Sequence, residues 1–265
     1  MKETKIASVE FTNDSNHNRD PYVIGLFASE SCGKTRFGLT GPSGVGFVIS
    51  ELKSYATIAK DAEELGKQVL MPKDQLKLIP PSRKLAAMKD DIERQKFYIQ
   101  HVKMVEDVAY GLLEHPDVKI LVFDKFSHFC QWKEFAINGM QPKFVKIDNK
   151  VYQSKQEVRA SITDFINSLS QFGKPIILNV GTKADYEVLD SKGVPARNTW
   201  ECGCYYMLGS HCNIIAELER NPFWDKSKNG EKYSWKYGMN IRVCQRNPEL
   251  EGPTGNPLLR DDDIS

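Results

Sequence analysis

The chain has 265 residues, and its 36 Lys and Arg against 35 Asp and Glu leave a net charge of +1, which excludes a polybasic protein binding nucleic acid through bulk charge. Hydrophobic residues at 40% and charged residues at 27% exclude a disordered chain and predict a globular one with a full core. No apolar run reaches the ~20 residues that span a bilayer, no apolar stretch of a secretory signal opens the chain, and six cysteines are too sparse for a disulfide scaffold.

These features predict a cytoplasmic protein with no membrane partner. Residues 1–20 read as an N-terminal strand or extension. Apolar runs follow at 22–28, 46–50, 68–71, 120–123, 176–180, 213–218 and 239–244. Several are apolar at consecutive positions, the pattern of strands buried on both faces, as in a parallel sheet covered by helices. The last two alternate more and predict antiparallel edge strands with one wet face.

Between the runs, Leu85, Met88, Ile92, Ile99, Val102, Val105, Ala109 and Leu112 recur mostly three, four or seven apart. They predict one stripe of a long helix, broken at most once and stopped by His115 and Pro116. Ser154 with Glu157 three residues on is a capping-box start. Val158, Ile162, Phe165, Ile166 and Leu169 form that second helix's apolar stripe, and Gly173 is a natural stop. Strands alternating with helices predict an α/β fold with a mainly parallel sheet. One domain over 1–265 is expected, closing in a loose acidic tail at 256–265.

The strongest chemical signal lies directly after the first run. Ala28, Ser29, Glu30, Ser31, Cys32, Gly33, Lys34 and Thr35 match the phosphate-binding pattern GxxxxGK[ST], with Ala28 in place of the first glycine. Backbone N–H groups of such a loop, together with a helix N-terminus, converge on phosphate oxygens. Gly33 allows close backbone approach, Lys34 would reach the β- and γ-phosphates, and the Thr35 hydroxyl would ligate Mg²⁺. Arg36, in the first helical turn, completes the nucleotide-binding set. Cys32 reads as a small filler.

A metal-side carboxylate is the second requirement. The run at 118–123 closes on Asp124, the Walker-B form that helps hold Mg²⁺. A third group must orient or deprotonate the attacking water. Glu51 ends the run at 46–50, on the edge where ligands of open parallel sheets collect; the alternative is a solvated Glu opening a polar segment. Thr182, or Lys183 beside it, follows the run at 176–180 and would sense the γ-phosphate, unless the segment is an ordinary β–α loop.

Assembled, these residues resemble the RecA-like P-loop ATPases of bacteriophages, a group that includes phage single-strand-annealing recombination ATPases. The resemblance rests on residues 33–42, on 46–51 ending in Glu51, on 120–127 around Asp124, on 175–187 around Thr182, and on Arg246 to Pro248. It implies a RecA-like core that binds ATP and Mg²⁺ and hydrolyses ATP. It also implies a role in phage DNA recombination or replication in the host cytoplasm. Single-stranded DNA, a homo-oligomer and a phage single-strand-binding protein are the implied partners.

Other constellations leave alternatives open. Thr182, Lys183, Ala184 and Asp185 fit the guanine-reading [NT]KxD pattern, but Ser127 stands where a GTPase needs glycine three residues after the Walker-B Asp. Cys202, Cys204, His211 and Cys212 have the residue types of a zinc site without a common spacing; buried core cysteines are the alternative. Lys143, Lys146, Lys150 and Lys155 with Phe144 and Tyr152 form a basic–aromatic segment suited to single-stranded DNA, or a solvated loop. Trp224, Lys226, Lys228, Lys232, Trp235 and Lys236 form a second, around an Asn229–Gly230 hairpin turn. Arg220, Arg242 and above all Arg246 are candidates for a finger reaching a neighbouring protomer's γ-phosphate. A nucleotide-dependent assembly module and a genome-packaging ATPase remain as competing functions.

Overall fold

A computed structural model of the chain describes residues 22–28, 32–73, 75–139, 144–147, 150–153, 156–184, 200–202, 211–225, 232–244 and 259–260. In chain order the elements are β1 (Val23–Ala28), α1 (Lys34–Thr40), β2 (Val45–Ile49), α2 (Leu52–Glu64), β3 (Val69–Leu70), a 3₁₀ turn (Gln75–Leu78), α3 (Ser82–Ala87), α4 (Asp91–Glu114) and β4 (Ile120–Asp124). They continue with α5 (Phe126–Asn138), β5 (Phe144–Ile147), β6 (Lys150–Gln153), α6 (Gln156–Ser170), β7 (Ile176–Ala184), β8 (Trp200–Cys202), β9 (Ile214–Asp225), β10 (Lys232–Cys244) and β11 (Leu259–Arg260).

The main sheet has the order β11-β10-β9-β1-β7-β4-β2-β3, with β8 paired to β7 beside that path. Every neighbour pair from β9 to β3 is parallel. β9–β10, β10–β11 and β7–β8 are antiparallel. This is the predicted α/β fold, mainly parallel with antiparallel strands toward the C-terminus.

Consecutive apolar residues in the central strands serve two cores, because successive side chains leave a strand on opposite faces. In β4, Leu121 and Phe123 enter one core with α4, α5 and α6, while Ile120 and Val122 enter the other with Leu39 of α1 and Ile58 and Ala62 of α2. β1 divides in the same way, Val23 and Phe27 against Leu26 and Ala28. Helices therefore cover both faces.

The long helical stripe is broken once, between α3 and α4. Asp90 restarts it by accepting a hydrogen bond from the Ile92 N–H at 2.9 Å, with Asp91 and Glu93 in the first turn favouring the dipole. Gly173 follows α6 at φ 68°, a left-handed position that favours glycine.

Two expectations are corrected. β9 is not an edge strand: it lies between β1 and β10, parallel to β1 over Ile24–Phe27 and antiparallel to β10. The run at 213–218 is the part of β9 that pairs with β1, and it serves both cores, Ile215 on one face and Ala216 and Leu218 on the other. Within the segment read as a loose tail, Leu259 and Arg260 pair with Met239 and Gly238 as β11. Residues 1–20 lie outside the described residues. No helix among the described residues is long and apolar enough to cross a membrane.

Candidate active site

All the central strands are parallel, so their carboxyl ends meet on one edge of the sheet, where β1, β2, β4 and β7 deliver Ala28, Glu51, Asp124 and the residues after Val180. β7 lies between β1 and β4. The phosphate loop and the Walker-B strand are thus one strand apart, and α1 bridges the gap.

Of the phosphate loop, Ala28 and Cys32 to Thr35 are described; Ser29, Glu30 and Ser31 are outside the described residues. Gly33 stands at the N-cap of α1 with φ 85° and ψ 12°, a conformation that lets the chain turn sharply into the helix. Cys32 is buried and unoxidised. Lys34 donates from Nζ to the Ala28 carbonyl at 2.6 Å, closing the loop on itself. Arg36 points elsewhere: its exposed guanidinium pairs with Asp61 at 3.4 Å and Glu64 at 3.1 Å on α2.

Asp124 is buried and organises the site. The Thr35 hydroxyl donates to its Oδ1 at 3.2 Å, and so does the Asn179 amide from β7, also at 3.2 Å. The other carboxylate oxygen, Asp124 Oδ2, is buried without a hydrogen-bond partner, and so is Asn179 Oδ1. Buried oxygens of this kind call for a cation or ordered water. The donor set is a carboxylate, a hydroxyl and an amide oxygen on adjacent elements, which suits a hard cation that takes few protein ligands and keeps several waters. Magnesium fits these residues.

Glu51 lies at the N-cap of α2, about one-quarter exposed. Lys125 donates from Nζ to its Oε1, and His128 Nε2 lies 3.8 Å from the same oxygen. Burial pushes His128 below its ordinary value, opposed by the Glu51 carboxylate. Ser50, just before Glu51, donates to the Asp124 carbonyl at 2.9 Å and to the Lys125 carbonyl at 3.3 Å, tying the ends of β2 and β4 together.

Sequence reasoning missed Asn179, Ser50 and Lys125. Asn179 had a signal: it is the polar residue inside the apolar run at 176–180, and an amide buried at 0% exposure must serve a partner. Lys125 had none, because nothing in the sequence states that the chain turns left-handed there.

Thr182 and Lys183 lie within β7 rather than in a β–α loop, paired with Cys202 and Glu201 of β8. Ala184 pairs with Trp200, and Asp185 lies outside the described residues. Ser127 is in the first turn of α5. Of the zinc candidates, Cys212 is a core residue, His211 Nε2 is 2.8 Å from Thr163 Oγ1, and Cys204 is outside the described residues. Among the described residues no three His, Cys, Asp or Glu side chains are grouped to hold a metal.

In the β5–β6 ribbon, Lys146 stands opposite Val151 and Lys150 opposite Ile147. Lys143 is outside the described residues. In the β9–β10 hairpin, Trp224 stands opposite Tyr233, Trp235 opposite Pro222, Lys232 opposite Asp225 and Lys236 opposite Asn221. Lys226, Lys228 and the Asn229–Gly230 turn are outside the described residues. Arg220 is on β9, Arg242 sits at the register shift of β10 between Ile241 and Val243, and Arg246 is outside the described residues.

No protein-family profile and no curated protein sequence matches the chain. Among solved structures, a KaiC-like protein from the hyperthermophilic archaeon Pyrococcus horikoshii is similar over 85% of this chain and 81% of its own, at 13% identity and a TM-score of 0.41. That superposition is too weak to add to the geometry above.

Proposed function

We propose that the chain is a RecA-like P-loop ATPase that binds ATP with Mg²⁺ at the loop before α1 and hydrolyses it. The observation that carries this reading is the buried Asp124 carboxylate: Oδ1 is fixed by Thr35 and Asn179, and Oδ2 is left without a partner at the mouth of a GKT loop. In this reading Thr35 and Asp124 hold the metal, which would neutralise charge developing on the phosphoryl oxygens. Gly33 lets the loop amides approach the phosphates. Lys34 exchanges the Ala28 carbonyl for phosphate oxygens, and Glu51 orients the attacking water and takes its proton.

Binding of Mg²⁺–ATP and steady-state phosphate release test the proposal. Lys34→Ala should abolish binding. Glu51→Gln should keep binding and lower kcat by about 10²–10⁴-fold, the usual weight of a general base. Phosphate release that survives both substitutions would exclude the site. Tighter binding of GTP than ATP would favour the guanine reading of Thr182 to Asp185.

The finer proposal is a single-domain cytoplasmic enzyme coupled to single-stranded DNA in phage recombination or replication, working as a homo-oligomer. It rests on the family resemblance and on the basic and aromatic positions of the β5–β6 and β9–β10 ribbons. Thr182 and Arg246 would complete the γ-phosphate site, Arg246 from a neighbouring protomer. Stimulation of hydrolysis by single-stranded DNA would support it. Slow turnover indifferent to DNA would instead indicate an assembly module, and a preference for duplex DNA a packaging ATPase.

A further inference from the structure

Lys125 is the residue after Asp124, and among the described non-glycine residues it alone has a positive φ, at 57° with ψ 56°. Left-handed backbone costs a lysine of the order of 1 kcal/mol or more and persists only where the surroundings enforce it. Here the surroundings are visible. The Ser50 hydroxyl bonds both carbonyls that flank the turn, Asp124 O and Lys125 O. The backbone then aims the Lys125 ammonium across the strand ends at Glu51 Oε1.

We infer that Lys125 is a latch on Glu51, holding its carboxylate by an ion pair until the γ-phosphate of a bound nucleotide draws the ammonium away. This inference deepens the ATPase reading and rests on it. The physical case is competition for one cation. A carboxylate held through Oε1 cannot use that oxygen to orient water. Lys125 is joined by one peptide bond to the metal-side Asp124, so a bound triphosphate brings several negative charges into its reach. An ammonium has three donors on a flexible stem, so it can transfer without moving the backbone that Ser50 pins. Glu51 is then free at the moment the phosphoryl group is in place, and with the site empty it stays paired. His128 Nε2 stands beside the same oxygen, 3.8 Å away.

Glu51→Gln, alone and combined with Lys125→Met, tests the latch by titration with Mg²⁺–ATP and Mg²⁺–ADP. With Glu51 neutralised the Lys125 ammonium has no ion pair to leave, so Glu51→Gln should bind ATP about two- to fivefold more tightly than the wild type, the scale of one partly exposed ion pair. ADP, which lacks the γ-phosphate, should bind as to the wild type. The gain should vanish when Glu51→Gln is combined with Lys125→Met, a result that a merely structural role would not produce. Lys125→Met and Lys125→Gly alone should each weaken ATP binding and leave ADP binding unchanged; methionine keeps the backbone demand, whereas glycine relieves it. An ATP affinity unmoved by Glu51→Gln, or an equal gain for ADP or in the double variant, would overturn the latch. If the wild-type protein fails to bind Mg²⁺–ATP in a Lys34-dependent way, the ATPase reading itself fails; binding and hydrolysis that ignore Lys125 sink the latch alone.

Discussion

The two faces of the sheet are packed from different materials. On the α4–α5–α6 face the core contains buried Phe27, Tyr98, Phe123, Phe126, Phe129, Trp132 and Phe165. On the α1–α2 face Phe47 is the buried aromatic among the described residues, and the rest are small and aliphatic side chains. The aromatic face is a network: Phe165 lies 4.8 Å from Phe129 and 5.8 Å from Phe123, centroid to centroid, and Lys133 Nζ sits 5.3 Å from its ring. The aliphatic face is close-set. A Cβ on Gly38 of α1 would meet Val122 Cγ2 at 3.0 Å, so α1 approaches β4 near the limit of contact. The large aromatic side chains are concentrated on one face, while the other carries the helix that brings Thr35 within reach of Asp124.

That division can be broken from either side. The largest expected effect is Phe165→Ala. The side chain is 2% exposed, and its removal should cost about 3–5 kcal/mol of unfolding free energy, read as a loss of melting temperature. Nucleotide affinity of the molecules that remain folded should be unchanged. If affinity falls as well, the two faces are not separable.

Gly38→Ala comes next and should show the reverse pattern. Alanine improves helix propensity by about 1 kcal/mol, while overpacking against the branched Val122 costs about 1–3 kcal/mol. The two partly offset, so stability changes little. The displacement of α1 remains, and it moves Lys34 and Thr35 away from the site. Nucleotide affinity should therefore drop more than stability, as measured by titration beside a melting curve.

The smallest effect is a pH dependence of the aromatic face. His101 is buried, stacks on Phe97 and meets the edge of Trp132 at 4.8 Å, and its Nε2 has no hydrogen-bond partner. Burial lowers its pKa, partly opposed by a hydrogen bond to the Leu78 backbone. A lowered folded value means that the unfolded chain takes up the proton first. The contribution to stability is thus complete above the ordinary value of about 6.5 and is lost as pH falls below it toward the folded value. His128 and His211 are lowered by burial too and act in the same direction. Melting temperature against pH for the wild type and His101→Phe isolates the share of His101 as a difference in slope.

Much of the fold was legible because the central strands announce themselves. A strand buried on both faces must be apolar at consecutive positions, and the runs at 22–28, 46–50, 120–123 and 176–180 lie within a residue or two of the starts of β1, β2, β4 and β7. That the long helix could break once was legible in its stripe, but the place of the break, at the Asp90 N-cap, came from the structure. The place of β9 was not legible. Its partners, β1 on one side and β10 on the other, leave no mark on a single strand.

The chemistry divides in the same way. Lys34, Thr35 and Asp124 could be named from sequence, because phosphate and magnesium demand particular residue types at short spacing from a strand end. Asn179 and Ser50 could be assigned only once β7 lay beside β4, and β4 beside β2, since hydrogen bonds across 55 and 74 residues depend on strand order. The near-neutral total charge excluded bulk electrostatic binding and nothing more. Which lysine holds Glu51 follows from β2 lying beside β4 and from one left-handed turn. Local patterns encode the elements and the loop; only their packing decides which buried polar groups meet.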